Sequence, residues 1–126
     1  MIRTRLPAAL AAMVLLGAAS GALAHHAFSM YDNTKYTKVT GTVKSFLWAN
    51  PHSMVDFLVM TPDGKAEEWT AECSPVNMLG RHGWTKESLK AGDKAEFVIH
   101  PNRESAHYGL LVSATLPDGS VFKDKD

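Results

Sequence analysis

The residues able to do chemistry in this chain are mostly histidines, and two of them stand where processing would expose them. Ala22-Leu23-Ala24 presents small residues at the two positions a signal peptidase reads, and His25-His26 follows directly. Cleavage after Ala24 makes His25 the N-terminal residue, so its free amino group and imidazole can chelate one metal ion beside the imidazole of His26. Nitrogen-rich ligation of this kind suits Cu(II) best among the common divalent ions. His52, His100 or His107 would complete a three- or four-nitrogen site. His100 and His107 flank a single loop, a spacing that can bring them together across a hairpin. The competing reading is plainer. Paired histidines after an alanine also suit export, and His52 behind Pro51 can bond a backbone carbonyl and shape its corner.

A second constellation is Trp48-Ala-Asn50-Pro-His52. It joins an aromatic ring, an amide and an imidazole at the end of a predicted strand, a combination suited to docking a small ligand or a protein segment. Trp69 and Trp84 could line a pocket with Trp48, although core packing explains both without a ligand. Met30, Met54, Met60 and Met78 lack the clustered spacing of a thioether copper site and read as fillers. Cys73 is alone, so no internal disulfide forms, and it shares a strand face with Trp69 and Ala71 as a buried, inert thiol. No nucleophile–base order, carboxylate pair or phosphate loop points to an enzyme. Glu67 and Glu68 alternate across a strand and cannot share a proton. Asp56 is the acid among apolar neighbours, read as a surface group or as a carboxylate that orients a histidine.

The elements that must position these groups follow from pattern and turn chemistry. Residues 25–38 have no sustained period and read as an arm over the domain, with Phe28 and Tyr31 as anchors. Strands are predicted at Val39–Trp48, Ser53–Thr61, Ala66–Cys73, Lys94–His100 and His107–Leu116. In the second, Val55, Phe57 and Val59 face one way. The opposite side, Met54, Asp56, Leu58 and Met60, is apolar enough to need partial cover by the arm or a partner subunit. Pro62-Asp63-Gly64 and Pro117-Asp118-Gly119 are tight turns, the second leading into a short tail. Between the third and fourth strands, Ser74 as N-cap, Pro75 at the first helical position and Gly83 at the end mark a short helix. Trp84 then serves as a staple against Leu89 for a further turn from Thr85. Three strands, a helix and two strands is the order of a small, mainly β, five-stranded OB-like Greek-key barrel, with a small β-sandwich as the alternative. Gly41 and Gly109, in the first and last strands, ease the coiling such a barrel needs.

Composition narrows the setting. The basic start Met1–Arg5 and the apolar run Leu6–Ala19 read as an export signal covering residues 1–24, too short for a membrane span. The remaining 102 residues make an arm, 25–38, and one barrel domain, 39–126. With 11 basic against 13 acidic residues, the mature chain has no electrostatic reason to bind nucleic acid or anionic lipid.

Ala24-His-His-Ala-Phe28, Gly41-Thr-Val43, Asn50-Pro-His52, Ser74-Pro75 with Leu79, Arg81 and Gly83-Trp-Thr85, Leu89-Lys-Ala-Gly-Asp93, His100-Pro101 and Leu116-Pro-Asp-Gly119 together resemble a family of small exported bacterial proteins known only as a domain of unknown function. The resemblance spans the whole mature chain. It implies an exported single domain and agrees with the barrel, and it brings no activity, substrate or catalytic residue. The expectation is a periplasmic or secreted binding or accessory protein without a membrane anchor. It binds copper at His25 and His26, or docks a protein or small ligand at Trp48, Asn50 and His52.

Overall fold

The computed structural model describes residues 30–125. Contacts divide the chain into Met1–Met30 and Tyr31–Asp126. The second unit holds every element below, whereas the predicted export signal, His25, His26 and Phe28 lie outside the described residues. Strands β1 (Thr37–Leu47), β2 (Met54–Met60) and β3 (Ala66–Glu72) precede helix α1 (Val76–Arg81). Strands β4 (Lys94–Pro101), β5 (Tyr108–Thr115) and β6 (Val121–Lys123) follow. The five predicted strands are present, with ends shifted by one or two residues.

β1 is long enough to serve two neighbours. Its first half, Thr37 to Thr42, pairs with β4, and its second half, Thr42 to Leu47, pairs with β2. β2 and β3 form an antiparallel hairpin around the Pro62-Asp63-Gly64 turn. The parallel pairing of Thr70–Glu72 with Tyr108–Leu110 then closes the circuit β1-β2-β3-β5-β4. That is the closed OB barrel, and closure of one sheet on itself excludes the sandwich.

Side-chain alternation fills the interior. Val55 and Phe57 of β2, Ala71 of β3, Phe97 and Ile99 of β4 and Leu111 of β5 are fully buried. Phe57 and Phe97 stack at the centre, with ring centroids 4.0 Å apart and planes 20° from parallel. Truncating either ring to alanine removes about 3–5 kcal/mol by the usual cost of a core aromatic. Strict alternation fails once in β1. A bulge between Val43 and Ser45 lets Val43 and Phe46, three residues apart, both pack on the core. Gly41 and Gly109 sit where backbones crowd. A Cβ on Gly41 would lie 2.7 Å from the Phe57 ring and 2.8 Å from the Leu58 carbonyl oxygen. On Gly109 it would lie 2.6 Å from Ile99 Cδ1 and 2.8 Å from the His100 carbonyl oxygen.

Two local expectations need correction. Ser74 does not cap α1: Pro75 occupies the N-cap position with φ −59° and ψ 157°, and no side chain of the segment itself caps the helix. Ser74 is instead held by the C-terminal segment. Its N–H donates to Asp124 Oδ2 at 2.8 Å, and its hydroxyl accepts from Lys125 Nζ at 2.8 Å. The predicted short tail is therefore a sixth strand and a buried latch. Trp84 takes part in it, donating from Nε1 to the Lys123 carbonyl at 2.8 Å. Among the described residues no helix is long and apolar enough to cross a membrane.

Candidate functional site at the first loop

In an OB barrel the outer face of β2 and β3 and the loops β1–β2 and β4–β5 form the usual binding surface. Here those loops carry His52 and His107, and each imidazole lies against a carboxylate of β3.

The β1–β2 loop is built as a rigid corner. Ser53, fully buried, accepts from the Ala49 N–H at 3.2 Å through its hydroxyl and donates back to the Ala49 carbonyl at 3.2 Å. The Asn50–Pro51 peptide is cis. Asn50 Oδ1 accepts from the Val76 N–H at 3.2 Å, so the loop amide supplies the α1 cap that Ser74 does not. Trp48 is half-buried and edge-on to Phe46, with centroids 6.0 Å apart. Trp84 reaches the same Phe46 at 5.8 Å. Trp69 belongs to the other aromatic column, 6.3 Å from Phe57, so the three tryptophans do not line one pocket. Of the predicted trio, Trp48 and Asn50 have structural tasks and His52 is the group left to face outward. Half of its side chain is exposed, and Nδ1 lies 3.3 Å from Glu72 Oε1.

Glu72 is the residue that sequence reasoning missed. Its carboxylate ties three other segments to β3. Oε2 accepts hydrogen bonds from the hydroxyl of Tyr31, ahead of β1, and at 3.3 Å from that of Tyr108 on β5. Oε1 faces His52. The two phenol rings stack, with centroids 6.2 Å apart and planes 15° from parallel. Tyr31 is only 5 % exposed, and burial, reinforced by the Glu72 bond and charge, pushes its phenol pKa well above the ordinary value. Burial likewise raises Tyr108. Both phenols are therefore neutral donors to a fixed carboxylate. Tyr31 is the anchor expected from the sequence, and a bridge to Asn102 and the Asp32 N–H to Pro101 carbonyl bond at 2.9 Å secure the segment behind it. The Asp32 carboxyl is lowered to about 2, chiefly by the Thr34 hydroxyl.

The same outer face continues along β2. Asp56 accepts from Thr70 Oγ1 at 2.7 Å and from Ser45 Oγ at 3.1 Å, so hydroxyls rather than a histidine engage it. Glu68 pairs with Lys44 at 2.9 Å. Acidic and hydroxyl groups dominate, a poor surface for a polyanion.

The remaining predicted metal ligands go separate ways. His100 is buried on β4, with Nδ1 2.8 Å from the Lys35 carbonyl and its ring 4.7 Å from that of Tyr36. It fastens the segment entering β1. His107 lies 3.3 Å from Glu67 through Nε2 and stacks on Trp69 at 4.8 Å. The shared loop does not make them partners, because β4 turns His100 under Tyr36. Among the described residues no three His, Cys, Asp or Glu side chains gather as a metal cage. Cys73 is 1 % exposed, and burial above all, with the nearby Asp124 charge, pushes its thiol pKa far up, leaving an inert thiol.

Fold and loops thus define a small closed OB-type barrel with a polar corner at its first loop. The chain belongs to the family described as "Family of unknown function (DUF6152)", whose model matches residues 12–112. Comparison with curated proteins gives no match, and neither does comparison with solved structures.

Proposed function

We propose that the mature chain is an exported binding or accessory protein, periplasmic or secreted, that engages a protein partner or small ligand at the corner of Trp48, Asn50 and His52. The observation that carries this reading is the Glu72 arrangement. Three separated segments converge to hold one imidazole, while His52 Nε2 has no hydrogen-bond partner among the described residues. A carboxylate that fixes one ring nitrogen presents the other as a directed donor or acceptor. The corner acts by binding, with no catalytic group assigned. The test is capture from the envelope fraction by the full mature chain: His52→Ala should lose a specific partner that wild type retains. Unchanged capture by His52→Ala would refute the corner as the contact.

A second reading is copper chelation by the amino group and imidazole of His25 with His26. It is favoured by the order Ala22-Leu-Ala-His25-His26, which makes the histidine pair the product of processing. Calorimetric titration with Cu(II) should show tight binding to protein beginning at His25. Equal binding by protein carrying extra residues ahead of His25 would remove the terminal amine from the site.

A further inference from the structure

We infer that Asp124 is a positioning residue for the corner: through it, the C-terminal latch sets where Asn50 and Ser53 hold the loop that carries His52. Its bearing on binding rests on the corner function proposed above, whereas the mechanical link stands on contacts within the barrel alone.

Two routes run from the latch to the loop. The first is a backbone relay through residues 73–76. Asp124 Oδ2 accepts the Ser74 N–H at 2.8 Å, and Lys125 Nζ donates to the Ser74 hydroxyl at 2.8 Å. On its other side the same short segment holds the loop. The Cys73 N–H donates to the Ser53 carbonyl at 2.8 Å, and the Ser53 N–H donates to the Ser74 carbonyl at 3.4 Å. The Val76 N–H donates to Asn50 Oδ1 at 3.2 Å. Asn50 and Ser53 bracket His52, so both ends of its turn hang on a segment that Asp124 fixes. The second route is a file of rings. Phe122 of β6 lies 5.2 Å from Trp84, Trp84 lies 5.8 Å from Phe46, and Phe46 lies 6.0 Å from Trp48 at the start of the loop.

A carboxylate is a costly fastening for a chain end. Asp124 is only 2 % exposed, and its Oδ1 has no hydrogen-bond partner among the described residues. An apolar side chain would anchor the tail without burying an unpaired charged oxygen. The tail itself has other anchors: the Asp124 and Lys125 N–H groups both donate to the Val112 carbonyl, and β6 pairs with Ser113–Thr115. What the carboxylate adds is an acceptor for the Ser74 N–H. That bond serves the segment on which the loop hangs.

The test is amide hydrogen exchange of the full mature chain, read residue by residue by NMR with no partner present. Asp124→Ala should speed exchange at Ser53, Cys73 and Val76 by at least about fivefold relative to Val43, the lower end of what an unpaired buried N–H costs. The Val43 N–H, bonded to the Asp93 carbonyl at 2.8 Å, lies outside both routes and serves as reference. Asp124→Asn keeps an acceptor for Ser74 and should recover most of the protection. Asp124→Ala should also shift the His52 ring resonances. The reverse perturbation starts at the loop: Asn50→Ala, at an exposed position, should speed exchange of the Ser74 and Asp124 N–H groups, because coupling is reciprocal. Equal acceleration at Val43 and at the loop would make Asp124 a general stabiliser and overturn the proposal. So would Asn50→Ala without effect at Ser74 and Asp124, the arm that decides alone should Asp124→Ala not fold. Intact coupling in a protein whose His52→Ala variant still captures its partner would refute the corner function and uphold the latch.

Discussion

Removing the Glu72 carboxylate is the perturbation that speaks most directly to how the corner is held. In Glu72→Ala the Tyr31 hydroxyl, in a side chain almost wholly out of water, loses its acceptor. A buried hydroxyl left unpaired costs about 1–3 kcal/mol. The Tyr108 bond is long at 3.3 Å and the His52 contact is half exposed, so together they add no more than about 1 kcal/mol. The expected loss is therefore about 1–4 kcal/mol. In a domain of this size each kcal/mol shifts Tm by about 4–8 °C. Urea unfolding of wild type, Glu72→Ala, Tyr31→Phe and the double variant forms a thermodynamic cycle. The coupling between Tyr31 and Glu72 should be about 1–2.5 kcal/mol, toward the level of a hydrogen bond to a charged acceptor. The m-value should not change. Coupling below about 0.5 kcal/mol, the scatter of independent sites, would refute the claim that this carboxylate organises the corner.

Four further outcomes follow from the same geometry. The Tyr31 phenol is raised on folding, so its contribution to stability is complete below the unfolded value of about 10 and is lost as pH rises beyond it. Stability measured from pH 9 to 11 should fall less steeply in Tyr31→Phe, and an equal slope would contradict the assignment. Gly109→Ala should destabilise by about 1–3 kcal/mol, because the new methyl meets the fixed His100 carbonyl as well as Ile99. Gly80→Ala, in α1 with nothing within 4 Å of its Cβ, should stabilise by about 0.5–1 kcal/mol in the same denaturation assay. Cys73 should resist a thiol reagent in the native protein and react at the rate of unfolding, and rapid native labelling would contradict its burial.

The barrel was legible because its signals are local and repeated. Val55, Phe57 and Val59 alternate, the Pro-Asp-Gly turns mark hairpins, and Gly41 and Gly109 stand where strands crowd. The β1 bulge was not legible: nothing in Val43-Lys44-Ser45-Phe46 tells which residue is skipped in pairing with β2. The terminal strand left a trace that was readable, since Pro117-Asp118-Gly119 repeats the chemistry of the Pro62-Asp63-Gly64 hairpin and Phe122 follows it. Its latch was not, because Asp124 reaches Ser74 across fifty positions of sequence. The corner divides the same way. His52 stood out by residue type, whereas Glu72 is one of three acids in an alternating strand with nothing local to mark it. Its role arises only when β5 pairs in parallel and the segment at Tyr31 folds back. The capping role of Asn50 was hidden for a related reason, since the helix it caps begins 26 residues later.

The most direct test of the proposed function is photocrosslinking in the living cell of origin, with a photoreactive residue at position 52 or at position 63. The second position lies in the β2–β3 turn, at the far end of that hairpin from the corner. The account predicts a discrete adduct from position 52 and none from position 63. Adducts of equal yield at both positions, or none at position 52, would contradict it.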